Sequence, residues 1–144
     1  MNTPIANAGT TLEISASLPS TYDKAGYDAL AWTQVRGVRI IGDIGRQYRT
    51  SEYQSFDMPI PVQKKYGLTG GSNNIEIIRI SDAGQDMLVA AVDGGSHSFR
   101  VKTPDGLTFC FVADANSVLS GVGDASAAGD RKIAISYTRP PIEI

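Results

Sequence analysis

The residues able to do chemistry are few and scattered. His97, the 1 histidine of the chain, lies between Ser96 and Ser98 with Asp93 nearby, which sketches a serine–histidine–aspartate set. Consecutive strand residues point to opposite faces, however, and no G-x-S-x-G elbow exposes a serine nucleophile. His97 therefore reads as a polar strand residue. It has no C-x-x-C, H-E-x-x-H or carboxylate cluster at ligand spacing beside it, so zinc and non-haem iron lack a ligand set. Cys110, the 1 cysteine, sits in the apolar run Leu107 to Ala113 and reads as a small buried hydrophobe rather than a nucleophile. The glycine-rich stretches Gly67 to Ser72 and Gly121 to Gly129 read as flexible turns. Neither ends in Lys-Ser/Thr nor links a strand to a helix as a phosphate loop does. A glycosidase needs two carboxylates that only folding brings together, and the sequence gathers no convergent cluster. Neither an enzyme nor a cofactor is expected.

The segment Asp43 to Gly71 is of a different kind. Ile44-Gly45-Arg46-Gln47-Tyr48-Arg49 runs into Thr50-Ser51-Glu52-Tyr53-Gln54-Ser55-Phe56, mixing polar residues and aromatics without helical or strand period. Alternation returns only at Met58, Ile60 and Val62, set against Pro59 and Pro61, and those prolines confine it to a sheet edge or to unpaired chain. A long irregular segment in a compact domain is functional or disordered, and the aromatics argue against disorder.

The elements that must position these residues are mostly strands. Phe99 and Val101 alternate with Ser98, Arg100 and Lys102. After the turn Pro104-Asp105-Gly106, Leu107, Phe109, Phe111 and Ala113 alternate with Thr108, Cys110 and Val112, which specifies a β-hairpin. Ile133, Ile135 and Tyr137 mark a last strand that Pro140 and Pro141 are expected to end. Leu12 and Ile14 mark a first one. Val35 to Ile41 reads as one strand with a bulge at Gly37. Asn74 to Ile80 carries isoleucines on both sides, as a strand covered on both faces does. Ala83 to Val92 is the exception: Asp82 and Gln85 are spaced as a capping box, Leu88 and Val92 share a stripe, and Gly94-Gly95 stops the helix. Too short to persist alone, this helix must pack on a sheet. The small-residue loop Ser120 to Gly129 reads as exposed and mobile.

Composition bounds the class. With 144 residues, 42% of them hydrophobic, 15 Gly, 7 Pro and only 19% charged, the chain is neither disordered nor a helical bundle. Thirteen basic residues against 15 acidic ones give a formal charge of −2, without the basic block of a protein held to nucleic acid by many phosphate contacts. No stretch reaches the about 18–20 apolar residues of a membrane span, and the start Met1-Asn2-Thr3-Pro4 has neither a basic region nor an apolar one. Synthesis in a cytoplasm, without a secretion signal or membrane attachment, is the expectation.

The ordered set of features resembles the major tail tube proteins of bacteriophages with long non-contractile tails. The resemblance rests on Ala8-Gly9-Thr10-Thr11-Leu12-Glu13-Ile14, on Trp32-Thr33-Gln34-Val35 before a long loop, on the helix Gln85 to Ala91, on the hairpin around Phe99 to Gly106, and on the last strand Lys132 to Tyr137. It implies a mainly β fold, a β-sandwich or partial barrel with one flanking α-helix and a long inter-strand loop, in a single tail tube domain over 1–144. It also implies a structural virion protein of the tail: hexameric rings, their inner strands joined in a continuous barrel, stacked around a tape-measure protein and the DNA channel. The other implied partners are tail-tip and tail-terminator proteins, and double-stranded DNA in transit. The sequence ends at Pro140-Pro141-Ile142-Glu143-Ile144, and no immunoglobulin-like C-terminal domain is expected.

In that family the long loop reaches a neighbouring ring. The residues implied for the contact, within an extended assembly arm over 44–71, are Arg46, Tyr48, Arg49, Glu52, Tyr53 and Phe56. Each aromatic buries about 150–250 Å², an upper bound of roughly 4–6 kcal/mol before ordering costs. Exposed ion pairs of Arg46, Arg49 and Glu52 add about 0–1 kcal/mol each and serve register. A lumen that lets DNA slide should be neutral or acidic with its cations paired, and Arg36, Arg39, Arg100 and Lys102 are its candidates, although all four also fit an exterior face. Two alternatives stay open: the inner tube of a contractile tail or injection machine, and a small β-sandwich ligand-binding module with a concave apolar pocket.

Overall fold

The computed structural model describes residues 6–45, 47–69, 72–123, 125, 126 and 129–144. In chain order its elements are β1 (Thr11–Ser15), α1 (Lys24–Asp28), β2 (Thr33–Val35), β3 (Val38–Ile40), β4 (Gln47–Tyr53), β5 (Val62–Thr69), β6 (Ser72–Ile78), α2 (Ala83–Ala90) with a 3-10 turn Ala91–Asp93, β7 (His97–Lys102), β8 (Thr108–Gly121) and β9 (Asp130–Glu143). The fold is mainly β, as expected, with α2 on its flank. Seven strands form one antiparallel sheet in the order β2-β1-β7-β8-β9-β6-β3, and β4 and β5 form a separate ribbon.

The order of the large sheet explains its curvature. Strands β2 and β3 are separated in sequence only by Arg36 and Gly37, yet they occupy opposite edges. The sheet must therefore curl until its edges meet, which makes a partial barrel. What the sequence suggested as one bulged strand is two strands at the seam. Gly37 makes the junction at φ 78°, where a Cβ would also stand 2.8 Å from the Ile78 carbonyl oxygen. Its own carbonyl accepts from the Ile78 N–H at 2.8 Å.

Buried Gln85 of α2 bolts this seam. Its Nε2 donates to the carbonyls of Arg36 (2.7 Å) and Ile78 (2.8 Å), and its Oε1 accepts from the Ile80 N–H at 3.3 Å. Half of the expected capping box is therefore present: Asp82 accepts from the Gln85 N–H at 3.2 Å, while the Gln85 side chain serves the sheet instead of the cap. Asp82 also accepts from the Arg36 N–H at 3.1 Å. Helix α2 lies so close to β2 that a Cβ on Gly84 would collide with the Gln34 carbonyl.

Inside the curl sits the main core, where Leu12, Ile14, Val35, Ile75, Ile77, Leu88, Phe99, Phe111, Ile133 and Ile135 are buried. Phe111 stacks on Phe99 at 5.4 Å and meets the edge of Tyr137 at 4.9 Å. The hairpin β7–β8 has the expected register and turn, closed by Thr103 N–H to Leu107 O at 2.8 Å with Gly106 at φ 92°.

Three further expectations change. A one-turn helix, α1, has no counterpart in the sequence reading. With Leu30 and Trp32 it straps Tyr27 over the outer side of Cys110 and Val112, a second small core to which Ile142 and Ile144 contribute. Strand β9 runs through Pro140-Pro141 rather than ending there. Between the pairs Val112↔Arg139 and Cys110↔Ile142 the two prolines fall in a bulge, where the ladder asks for no N–H. Finally, β6 is fully buried on one face, that of Ile75 and Ile77; of the two isoleucines expected on the other, Ile78 is half-buried, and Ile80 lies beyond the strand and is exposed.

Candidate functional site

The segment expected to be an irregular loop is a two-stranded antiparallel arm. β4 and β5 pair from Gln47↔Thr69 to Tyr53↔Val62, with a register shift between Arg49 and Thr50. Among the described residues its strands pair with each other alone, and β4 is exposed along its whole length, so neither face of β4 is buried and no alternation is selected. Tyr48, Arg49, Glu52 and Tyr53 lie on β4, and Phe56 stands fully in solvent in the connecting turn. Arg46 lies outside the described residues. The Lys65 ammonium sits 4.9 Å from the Tyr48 ring centroid. Three exposed apolar residues of the arm, Ile60, Val62 and Tyr66, were not among the sequence candidates.

The basic candidates on the body separate into two kinds. Arg36 and Arg39 are exposed at the seam and on β3. Arg100 is engaged: its guanidinium pairs with Glu13 and lies 4.7 Å from the centroid of Trp32, and Lys102 reaches the same Glu13 at 3.8 Å. Both therefore belong to the strap side of the sheet.

The opposite half of that outer face is bare. Asn74 and Glu76 on β6, Asn116, Ser117 and Leu119 on β8, and Lys132, Ala134 and Ser136 on β9 share it, with Lys132 paired to Glu76 at 3.6 Å and Asn116 bonded to Ser136 at 2.5 Å. Ile40, Asn74, Glu76, Ser117, Leu119, Lys132 and Ala134 line a shallow depression of about 390 Å³ there.

Two half-edges within the sheet have no strand neighbour among the described residues. β8 pairs with β7 only through Ala113, leaving Asp114 to Gly121 open on that side; β9 pairs with β6 only through Ser136, leaving Tyr137 to Glu143 open. The second is protected by Pro140 and Pro141, which have no N–H to offer. The first carries no such protection and ends beside exposed Leu119 and Val122.

Ordinary catalytic features are displaced or buried. His97 Nδ1 lies 2.8 Å from the Gly95 carbonyl, and Ser96 is bonded to Asp114 instead. Burial pushes the Cys110 thiol up to about 11, away from nucleophilic thiolate. Among the described residues no group of at least 3 His, Cys, Asp or Glu side chains is placed to hold a metal ion, and no helix is long and apolar enough to cross a membrane.

Solved structures give the fold its context. A chain of the sheath/tube terminator of an extracellular contractile injection system, in its extended state, superposes with a TM-score of 0.74, covering 99% of this chain and 98% of the other at 11% identity. A chain of the sixfold-symmetrised anti-feeding prophage baseplate gives 0.71 over 100% and 97% at 11% identity. A chain from the tail of an empty GTA particle, refined with C6 symmetry, gives 0.67 over 92% and 95% at 14% identity. The chain shares the tail tube fold. No family model matches it. Large ribosomal subunit protein uL6 of Prochlorococcus marinus (strain MIT 9211) is 25% identical over 134 residues, 90% of this chain and 69% of that protein. That level of identity does not assign a family.

Proposed function

We propose that the chain is a structural, non-catalytic tail tube subunit whose six copies close into a ring and whose rings stack into a tube. The observation that carries this reading is the β4–β5 arm, a ribbon with apolar residues on show and no core of its own. An isolated two-stranded ribbon is marginal in water, so its aromatics gain a buried surface only on another copy. The open half-edge of β8 supports ring closure: it can continue into the outer edge of β3 on the next copy, and rotational symmetry satisfies every such edge at once. The sixfold and C6 assemblies of the fold neighbours agree with a ring of six.

On this reading the bare outer half of the sheet lines the channel, in preference to Arg100 and Lys102, which Glu13 and Trp32 occupy. Its cation Lys132 is paired to Glu76, so exiting DNA meets no free lysine to bind a phosphate. A tape-measure protein, tip and terminator proteins and a place in the virion tail belong to the same proposal. A second reading, the inner tube or terminal ring of a contractile injection machine, is favoured by neighbours from such machines. A place beside ribosomal RNA is disfavoured by the formal charge of −2 and the absence of a basic block.

Electron microscopy and sedimentation of the purified protein test the reading, alone and after seeding with tail-tip complexes. Rings or tubes are expected. Replacing Gln47–Thr69 with a short Gly-Ser linker should leave a folded subunit that no longer polymerises. Persistent wild-type monomers under both conditions would overturn the assembly reading, and loss of folding in the linker variant would assign the arm to the core.

A further inference from the structure

Between Val38 and Met58 the chain passes from an open apolar cavity to an exposed aromatic. The cavity is the mouth of the partial barrel, about 720 Å³ in volume, walled by Ile41 and Ile44 on one side and by Val101, Leu107 and Phe109 on the other. Ile41, Ile44 and Phe109 pack on the main core yet stay only partly buried, so core side chains are left open there. None of the described residues of the arm lines this mouth. The exposed aromatic is Phe56, at the tip of the arm, in a turn ordered by its own bonds. The Met58 N–H donates to the Ser55 carbonyl at 3.0 Å, the Gln54 amide donates to the Met58 carbonyl at 3.2 Å, and the Ser55 hydroxyl donates to the Asp57 carboxylate. This turn holds the Phe56 ring fully in solvent.

We propose that the arm tip of one copy seats in the barrel mouth of a neighbouring copy, with Phe56 as the plug and the apolar walls of the mouth as its socket. The inference rests on the tube reading and names the surface that receives the arm. Within a copy the two do not meet. The 7 residues of β4 carry the tip away from the arm's root, by about 20 Å at the strand rise of about 3.3 Å per residue. A second copy is the fitting occupant, because every copy carries one plug and one socket. Such a pair is a heterologous contact, which repeats from copy to copy.

Charge fixes how the turn sits. From Glu52 to Val62 the arm carries Glu52 and Asp57 and no Lys or Arg. Arg39 and Asp43 flank the mouth, and Arg39 has no ion-pair partner among the described residues. The docked turn therefore points Asp57 toward Arg39 and away from Asp43, since the reverse sets two carboxylates together. Because the turn is ordered beforehand, docking costs little further entropy. One phenylalanine buries about 150–250 Å², far less than the about 1,000 Å² of a stable pairwise interface. Six such seats made together between neighbouring rings act as one multivalent joint. Single subunits stay apart while rings stack.

Tubes assembled from subunits with a photoreactive benzoylphenylalanine in place of Phe56 test the contact. Irradiation should give a ladder of covalent oligomers on a denaturing gel, with cross-links mapped by mass spectrometry to peptides holding Ile41 to Ile44 or Val101 to Phe109. Exchange of charges is an independent readout. Arg39→Asp and Asp57→Arg should each stay folded by circular dichroism and raise the critical concentration for assembly about tenfold, and the double variant should return to within about threefold of wild type. Cross-links that map elsewhere, single variants that assemble as wild type does, or a double variant no better than the singles would overturn this contact and leave the tube reading standing. A wild-type protein that never polymerises overturns both. If the bulkier aromatic prevents assembly, the charge exchange alone decides; if a charge variant unfolds, the cross-link does.

Discussion

The β8–β9 hairpin and the β4–β5 arm are both antiparallel ribbons carrying large apolar side chains, and they differ in what lies against them. The first has strands of 14 residues each; one face is sealed by Leu12, Phe99 and Ile75, and part of the other by Tyr27 and Trp32. The second has strands of 7 and 8 residues, and every described side chain on it is at least about one-third exposed. Ladder hydrogen bonds are common to both, so they do not explain the contrast. Burial of apolar area does, because exchanging water for backbone partners gives only a small net gain. One ribbon is part of the subunit's core, and the other is the one that the proposed reading seats on a neighbouring copy.

The contrast can be broken most forcefully from the core side. Phe111→Ala removes a ring stacked on Phe99 and edged by Tyr137, and should lower unfolding free energy by about 3–5 kcal/mol in urea titrations. A change below about 1 kcal/mol would mean that β8 is held by its ladder alone. Gln85→Ala comes next. It strips partners from the carbonyls of Arg36 and Ile78 and from the Ile80 N–H, with an expected loss of about 2–4 kcal/mol. Hydrogen exchange should rise first at the seam between β2 and β3, and uniform exchange across the sheet would show that the seam does not close the barrel.

The same contrast governs what could be read from the sequence. Alternation is written where one face is buried and the other is wet, so Phe99 to Ala113 and Lys132 to Tyr137 were legible as strands. Gln47 to Tyr53 was not, because a ribbon with two wet faces places no demand on period. The long aromatic-bearing segment still announced itself as special, and that signal found the arm without its structure. Gln85 was seen as a cap because i,i+3 spacing is local; its seam role depends on Arg36 and Ile78, which only the curl brings to it. Cys110 was read as buried from its apolar run, and it is, although the alternation sets it with Val112 on the face opposite Phe109 and Phe111. What covers that face was not legible: the strap comes from a segment, Lys24 to Trp32, with too few residues per element to show a period. The open half-edge of β8 had no sequence signal, since an absent neighbour leaves no mark on the strand that lacks it.

A third prediction uses pH. Burial raises the Cys110 thiol to about 11 and the Tyr27 and Tyr137 hydroxyls to about 12. The unfolded chain releases these protons first, so the folded state is at full strength below about pH 9 and weakens as pH rises toward 12. The thiol alone accounts for up to about 2–3 kcal/mol between about pH 9 and 11. Urea midpoints measured across this range should fall, and Cys110→Ala should flatten the lower part of the curve. A flat wild-type profile would mean that the strap opens readily and leaves the thiol in water.

The smallest expected effect sharpens the contrast most. Phe56→Ala deletes the most exposed aromatic of the chain, at 113% relative exposure. Nothing in the subunit loses a buried contact, so the unfolding midpoint should stay within about 0.5 kcal/mol of wild type. Polymerisation is expected to respond differently, because a ring buried between copies contributes at every one of the repeated contacts along a tube. The critical concentration for assembly, read from light scattering, should rise at least tenfold, which is about 1.4 kcal/mol per added subunit. A Phe56→Tyr variant keeps the ring and should assemble near the wild-type concentration. If Phe56→Ala assembled as wild type does, the tip of the arm would be solvent-facing in the tube as well. The contact would then rest on Tyr48, Tyr53 and Tyr66 along the ribbon, and alanine at those positions would locate it.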